Sequence, residues 1–316
     1  MNDFFIKKYS LIRDKGLFLQ KIKYYSAQRF LLRILANIFV PAWFVLTNLT
    51  FSKKLKAHKK DRKIIVSLTT FPSRINKIWI VVECMLRQTY PPDRIILWLS
   101  KKQFHGLSSL PDNLLKLQRR GLEINFCDED LRSHKKYFYT LKNYSNDVLI
   151  TVDDDFIYPS SLIEELMKLH LENPQAICCH RALHITMKEK KILPYNDWEY
   201  IYNQYGPAFD IFFTSGGGTL FPPFFLHKEV LNDEVFMKFC KYADDIWLNL
   251  MSQMNNIKTV KSAYSHGVSI PLYIPGNTTL SSINVDDGLN DIQLNDVRSF
   301  YMKNKGIDPL KNLYIN

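Results

Sequence analysis

No C-x-x-C pair, no G-x-x-x-x-G-K-S/T loop, no internal repeat and no Gly/Ser-rich linker occurs in the 316 residues. The five cysteines, Cys84, Cys127, Cys178, Cys179 and Cys240, are odd in number and lack zinc spacing. That argues against a disulfide framework or a zinc module and for reduced thiols in a cytosolic setting. The vicinal Cys178-Cys179 is read as an apolar strand element. An excess of positive charge is also missing from most of the chain, although the formal net charge is +11. Residues 1–63 carry fifteen Lys/Arg against three Asp/Glu, and the remainder carries 27 against 28. Charge loaded onto one end fits an anionic surface met at that end, not a nucleic-acid groove across the fold, so no nucleic-acid partner is expected.

What is present divides near residue 62. The segment Phe30 to Phe51 is the most apolar stretch, interrupted by Arg33, Asn37, Pro41 and Asn48 and flanked by Lys/Arg on both sides. It begins too deep and lacks the cleavage site of a signal peptide. A central proline and a length barely sufficient to span make it a marginal crossing helix. An interfacial anchor, with Trp43 and Phe44 among the headgroups and lysines on anionic lipid, is the expectation; a spanning helix and an ordinary core helix are the alternatives. Residues 1–62 are therefore read as a basic, partly apolar membrane-associating arm and 63–316 as one α/β domain.

From Lys63 onward the pattern alternates. Ile64–Leu68, Arg94–Leu99, Leu122–Phe126 and Val148–Val152 read as strands. Ile75–Arg87, Asn113–Arg120, Lys135–Tyr144 and Ser161–Leu171 read as helices. Strands and helices at this spacing build parallel βαβ units. The last of these strands releases three consecutive acids, Asp153, Asp154 and Asp155, at its C-terminal end, where open α/β sheets bind ligands. Carboxylates so close together repel, and a divalent cation is the usual reason to tolerate that. Alternation puts Asp153 and Asp155 on one side and Asp154 on the other. A turn that caps the next helix is the simpler account, but a cap needs one aspartate, not three.

Three stretches in order, KIIVSLTTFPSRI (63–75), LRQTYPPDRIILWLS (86–100) and ITVDDDFIYP (150–159), resemble the nucleotide-sugar half of GT-A fold glycosyltransferases. The likeness is to the family 2-like bacterial enzymes that build surface polysaccharide. It implies a Rossmann-like, mostly parallel sheet flanked by helices over residues 63–300, with the helical arm outside it. It implies Mn²⁺ or Mg²⁺ as cofactor, held by Asp155 and Asp153 with His266 as a third ligand. It implies a nucleotide-sugar donor, UDP-linked by preference, bound by Ser67, Thr69, Thr70, Arg74, Asp128, Lys136, Asp153, Asp154, Gly217 and Gly218. Asp130 and Lys135 are further candidates beside the nucleotide.

In the resemblance, Tyr242-Ala243-Asp244-Asp245-Ile246-Trp247 supplies the catalytic base of an inverting enzyme. Asp244 is favoured over Asp245 by a narrow margin, and helix capping is the plain alternative. Asn290-Asp291 would close the site, and the aromatic stretch Trp198 to Phe225 would shape the acceptor pocket. The acceptor would be a glycan or a lipid-linked molecule at the cytoplasmic face of the inner membrane. A metal-dependent nucleotidyl- or phosphotransferase would also cluster carboxylates at strand ends, but the loop it usually needs is missing. A non-enzymatic membrane- or nucleic-acid-binding protein working through the arm is the third possibility.

Overall fold

The computed structural model describes residues 1–12, 24–50, 54–55, 62–263, 269–274 and 288–314. Two helices precede the sheet, α1 (Asn2–Ser10) and α2 (Tyr24–Thr50). Then come β1 (Ile64–Thr69), α3 (Ile78–Leu86), β2 (Arg94–Ser100), α4 (Asp112–Leu115), β3 (Leu122–Cys127), α5 (Lys135–Asn143), β4 (Val148–Val152), β5 (Phe156–Ile157) and α6 (Leu162–Glu172). The second half begins with β6 (Ile177–Cys179) and β7 (Ala182–His184). A small hairpin of β8 (Met187–Lys188) and β9 (Lys191–Ile192) follows, then β10 (Glu199–Tyr200), β11 (Tyr205–Ala208), β12 (Ile211–Phe213) and β13 (Gly217–Phe221). It ends with α7 (Asp233–Phe239), α8 (Asp244–Met254), β14 (Thr259–Lys261), β15 (Ile270–Pro271) and α9 (Leu289–Lys305).

The main sheet runs β11-β14-β6-β13-β4-β1-β2-β3. Its β4-β1-β2-β3 half is parallel, with Ser67 of β1 opposite both Thr151 and Ile96. β13 then inserts antiparallel between β4 and β6, while β6 and β14 are again parallel. The chain leaves β1 toward β2 on one side and returns through β4 on the other, so the C-terminal ends of β1 and β4 meet where strand order reverses. That is where open α/β sheets take their ligands.

Packing follows side-chain alternation. Val66 and Leu68 of β1 enter a core shared with α3, while Ile65 faces the other way with Ile96 and Trp98. A second core gathers Phe212, Phe213, Phe236, Trp247 and Tyr301 behind β13, α7, α8 and α9. The helix read over 113–120 is a four-residue α-helix followed by a 3₁₀ turn ending at Gly121, whose φ of 113° suits glycine. Three consecutive glycines, Gly216, Gly217 and Gly218, lie at a short turn that becomes β13 at Gly217.

The two described helices of the arm pack on this body. Phe5, Ile6, Ala36, Val40 and Phe44 lie in the same core as β1 and α3. Burying side chains such as Val40 and Phe44 stabilises by about 1.5–3 kcal/mol each. The end of α2 is also tied by a buried acid: Glu83 of α3 receives Asn48, Arg87 and Arg120. α2 continues through Pro41 and is the one helix among the described residues long and apolar enough to cross a membrane. Its opposite face leaves Phe30, Leu31, Ile34, Ile38, Leu46 and Leu49 exposed.

Candidate active site

β4 is buried along its whole length, and the chain turns out of the sheet immediately after Val152. Asp154 turns inward, where Arg74 Nη1 and Thr70 Oγ1 each lie 2.5 Å from its carboxylate. The same Nη1 stands 3.0 Å from Asp155 Oδ2, so Arg74 clamps two of the three acids. Asp153 accepts Lys136 Nζ at 2.7 Å, and its amide donates to the Tyr158 hydroxyl at 2.9 Å. Tyr158 in turn donates to the Gly216 carbonyl at 2.5 Å, closing the loop onto the start of β13. A Cβ on Gly216 would fall 1.6 Å from Asp153 Oδ2, so only glycine lets this carboxylate lie there.

The second acidic pair opens α8, where the helix dipole favours negative charge. Asp244 is buried; it accepts Ser215 Oγ at 2.7 Å and meets Lys136 Nζ at 2.9 Å. Asp245 accepts the Ser215 amide at 2.7 Å. Lys136 thus bridges the strand-end acids and the helix-start acids with one ammonium group. Burial works against the charge of Asp244, but Lys136 overrides it and holds the carboxyl down to about 2. For Asp245, burial and the neighbouring Asp244 outweigh Lys136 and push the carboxyl up to about 6. Asp244 is therefore a poor proton acceptor and Asp245 a serviceable one near neutral pH.

The donor set fits a hard divalent cation. Burial, then the charge of Asp153, pushes Asp155 up to about 7 against the pull of Arg74. Its Oδ1 is buried with no hydrogen-bond partner among the described residues. An orphaned carboxylate oxygen beside a second carboxylate is what a cation would satisfy. Among the described residues no group of three or more His, Cys, Asp or Glu is placed to hold a metal. Mg²⁺ needs only one or two protein carboxylates when phosphates and waters complete the shell, so Asp153 and Asp155 suffice. His266, expected as a third ligand, lies outside the described residues.

Several expected donor contacts are placed elsewhere. Ser67 is fully buried under α5, its hydroxyl against the Lys136 carbonyl at 2.5 Å and Thr140 Oγ1 at 2.8 Å, because an odd position of β1 faces that helix. Thr69 donates to the Trp98 carbonyl at 2.8 Å. Thr70, Arg74 and Asp154 satisfy one another and hold the loop, so Arg74 is committed to carboxylates rather than open to a phosphate. Asp128 sits on an exposed rim, paired at 2.7 Å with Lys101, since β3 is an edge strand separated from β1 and the switch point by β2. Asp130 pairs with the buried Lys135. Gly217 and Gly218 are pressed on Arg181 and Leu162, where added Cβ atoms would come within 2.6 and 2.9 Å. The glycine that touches the acids is Gly216. Asp291 accepts the Tyr195 amide at 2.9 Å, joining α9 to a ring that packs on Trp198 and Phe212 of the aromatic stretch.

Sequence reading passed over three residues. Tyr158 locks the acidic loop. Ser215 orients both helix-start acids. Arg181, just past β6, donates through Nε to Thr214 at 2.6 Å, lies over the Phe156 ring and feels the charge of Asp153 first and Asp245 next. Their partners are distant in sequence, and a run of apolar residues ending in His180-Arg181 has no motif. The one available hint was a cation closing a buried strand.

No protein-family model and no curated protein matches the chain. Solved structures do. S. aureus TarS 1-349 in complex with UDP-GlcNAc aligns with a TM-score of 0.50 at 11% identity, covering 79% of this chain and 69% of that one. This protein has a GT-A fold. Mannosyltransferase PcManGT from Pyrobaculum calidifontis, in complex with GDP-Man and Mn²⁺, aligns at a TM-score of 0.42 and 12% identity, over 91% of this chain and 76% of that one. A 4-diphosphocytidyl-2C-methyl-D-erythritol synthase aligns at 0.41 and 10% identity, over 75% and 100%. In its UDP complex TarS 1-349 is covered over 58% of its length, with 64% of this chain at a TM-score of 0.43 and 12% identity. At these identities the likeness concerns the fold.

Proposed function

We propose that the protein is a divalent-metal-dependent glycosyltransferase that moves a sugar from a nucleoside-diphosphate donor to an acceptor hydroxyl with inversion. The observation that carries this is the Lys136 bridge. It brings a cation-ready pair, Asp153 and Asp155, and a carboxylate with a near-neutral pKa, Asp245, to the same end of the sheet.

When bound, the cation would be held by Asp153 and Asp155 and would neutralise charge on the departing diphosphate. The protein supplies the rest. Arg74 and Thr70 fix the loop from beneath through Asp154. Arg181, which has no carboxylate ion-pair partner among the described residues, adds positive charge beside the diphosphate. Asp245 takes the acceptor proton as the hydroxyl oxygen attacks the anomeric carbon from the face opposite the leaving group. Asp244 remains charged against Lys136 and keeps that side chain in place.

The outer face of α2 and the lysines around it support attachment to an anionic bilayer, with a glycan or lipid-linked acceptor in surface-polysaccharide synthesis. Five free, buried cysteines agree with the cytoplasmic side. Product analysis tests the reaction class. Donor turnover with Mn²⁺ is expected to release the nucleoside diphosphate and an inverted glycoside. Release of pyrophosphate with nucleotide joined to the acceptor would make the protein a nucleotidyltransferase and overturn the proposal.

A further inference from the structure

α2 carries two polar residues at the border between its buried and exposed faces, Arg33 and Asn37, one helical turn apart. Both reach the same short segment. Arg33 Nε donates to the Pro271 carbonyl at 3.2 Å and Nη2 to the Leu272 carbonyl at 3.1 Å. Asn37 Nδ2 donates to the Pro271 carbonyl at 3.1 Å, and its Oδ1 accepts the Tyr273 amide at 2.7 Å. On its other side this segment lies along the acidic loop. Ile270 and Pro271 pair with Ile157 and Phe156, and the Leu272 amide donates to the Asp155 carbonyl at 2.7 Å. One extended segment therefore separates α2 from the main chain of Asp155.

β15 has two residues, one of them a proline without an N–H. So short a pairing is marginal by itself. Its position depends on the donors that grip its outward carbonyls, and Arg33 and Asn37 provide them. The guanidinium fork suits two adjacent carbonyls, and a lysine would not reproduce it. α1 grips the same loop farther along: Asn2 Nδ2 donates to the Tyr158 carbonyl at 2.8 Å, and Asp3 accepts the Ser160 amide at 2.7 Å and its hydroxyl at 2.6 Å. The polar interruptions that weaken α2 as a crossing helix thus have a structural use.

We propose that Arg33 and Asn37 are positioning residues for the cation site: through residues 271–273 they hold Asp155 where it binds a divalent ion. The arm is then a built-in part of the donor site as well as a surface for lipid. This rests on Asp153 and Asp155 being the cation ligands. Ligand carboxylates misplaced by even about 1 Å lose much of their value.

Mn²⁺ binding to the full-length protein, followed by the electron paramagnetic resonance of free Mn²⁺ without nucleotide, is the test, with thermal melting to check folding. Asp155→Ala is expected to abolish the site. Arg33→Ala and Asn37→Ala are expected to weaken binding roughly tenfold each, as loss of outer-shell support does. Leu46→Ser, on the exposed face, is expected to bind Mn²⁺ like the parent. Asn37→Asp keeps the acceptor for Tyr273 and loses the donor to Pro271, and about a threefold loss is expected. Should Arg33→Ala fail to fold, Asn37→Asp decides by the same criterion. Parent-like affinity in the folded Arg33 and Asn37 variants, with binding lost in Asp155→Ala, overturns the proposal. Parent-like affinity in Asp155→Ala overturns the metal assignment itself.

Discussion

Asp153–Asp155 at the end of β4 and Asp244–Asp245 at the start of α8 are each divided into an inner and an outer acid. In the first group the inner member, Asp154, is bound by Arg74 and Thr70, and Asp155 stands outside it with its carboxyl pushed up to about 7. In the second the inner member, Asp244, is bound by Lys136 and Ser215, and Asp245 stands outside it at about 6. The inner acid anchors the loop, and the outer charge is made costly by burial first and then by a neighbouring carboxylate, Asp153 for Asp155 and Asp244 for Asp245. The two groups differ in what relieves that cost. Asp155 has a second carboxylate, Asp153, beside it and an orphaned oxygen, which calls for a cation. Among the described residues the Asp245 carboxylate has one hydrogen bond, from the Ser215 amide, which leaves it able to take a proton. Environment sets the role more than residue type does.

The sharpest way to break this comparison is to remove what joins its halves. Lys136→Met leaves Asp153 and Asp244 without their shared counterion. A loss of about 3–5 kcal/mol is expected in chemical denaturation, as for other broken buried pairs. A fully stable variant would show that the two groups are independent.

The next test separates the neighbours. Asp245→Asn is expected to lower kcat by about 10²–10⁴-fold with the fold intact, the range for losing a general base. Asp244→Asn is expected to act mainly on stability, by about 1–3 kcal/mol, through the weakened partner of Lys136. If steady-state kinetics and melting returned these effects in the opposite order, the base would be Asp244.

The pH profile sharpens the same point. Asp245 accepts a proton only while ionised. Its carboxyl is raised, so kcat is expected to fall as pH drops through about 6 and to level off above it. A base with the carboxyl of Asp244 would keep its activity down to about 2. The smallest effect is expected at Ser67. Ser67→Ala should cost about 1 kcal/mol of stability from lost buried hydrogen bonds and leave donor KM unchanged. A raised KM would return Ser67 to the donor site.

The frame of the molecule was legible because its signals are local. Short apolar runs, rich in β-branched residues in β1, β2 and β4 and alternating with polar residues in β3, gave these four strands to within a residue or two, and Tyr90-Pro91-Pro92 lies in the loop after α3. The acids were legible because like charges cluster at strand and helix ends for few reasons. The donor contacts were less so. Ser67 and Thr70 take opposite sides by alternation, but which side lies under α5 and which faces Asp154 is set by the neighbouring elements. Arg33, Asn37, Tyr158 and Arg181 act across gaps that no spacing rule covers; Arg33 meets Leu272 from 239 residues away. Choosing between Asp244 and Asp245 needed Lys136, whose side chain reaches them from another helix.

Calorimetric titration of the full-length protein with a panel of nucleoside-diphosphate sugars, with Mn²⁺ and then with a chelator, tests the central claim most directly. Saturable binding of at least one donor is expected, weakened at least about tenfold by the chelator and by Asp155→Ala. A panel that does not bind in Mn²⁺, or donor binding indifferent to both the chelator and Asp155, would contradict it.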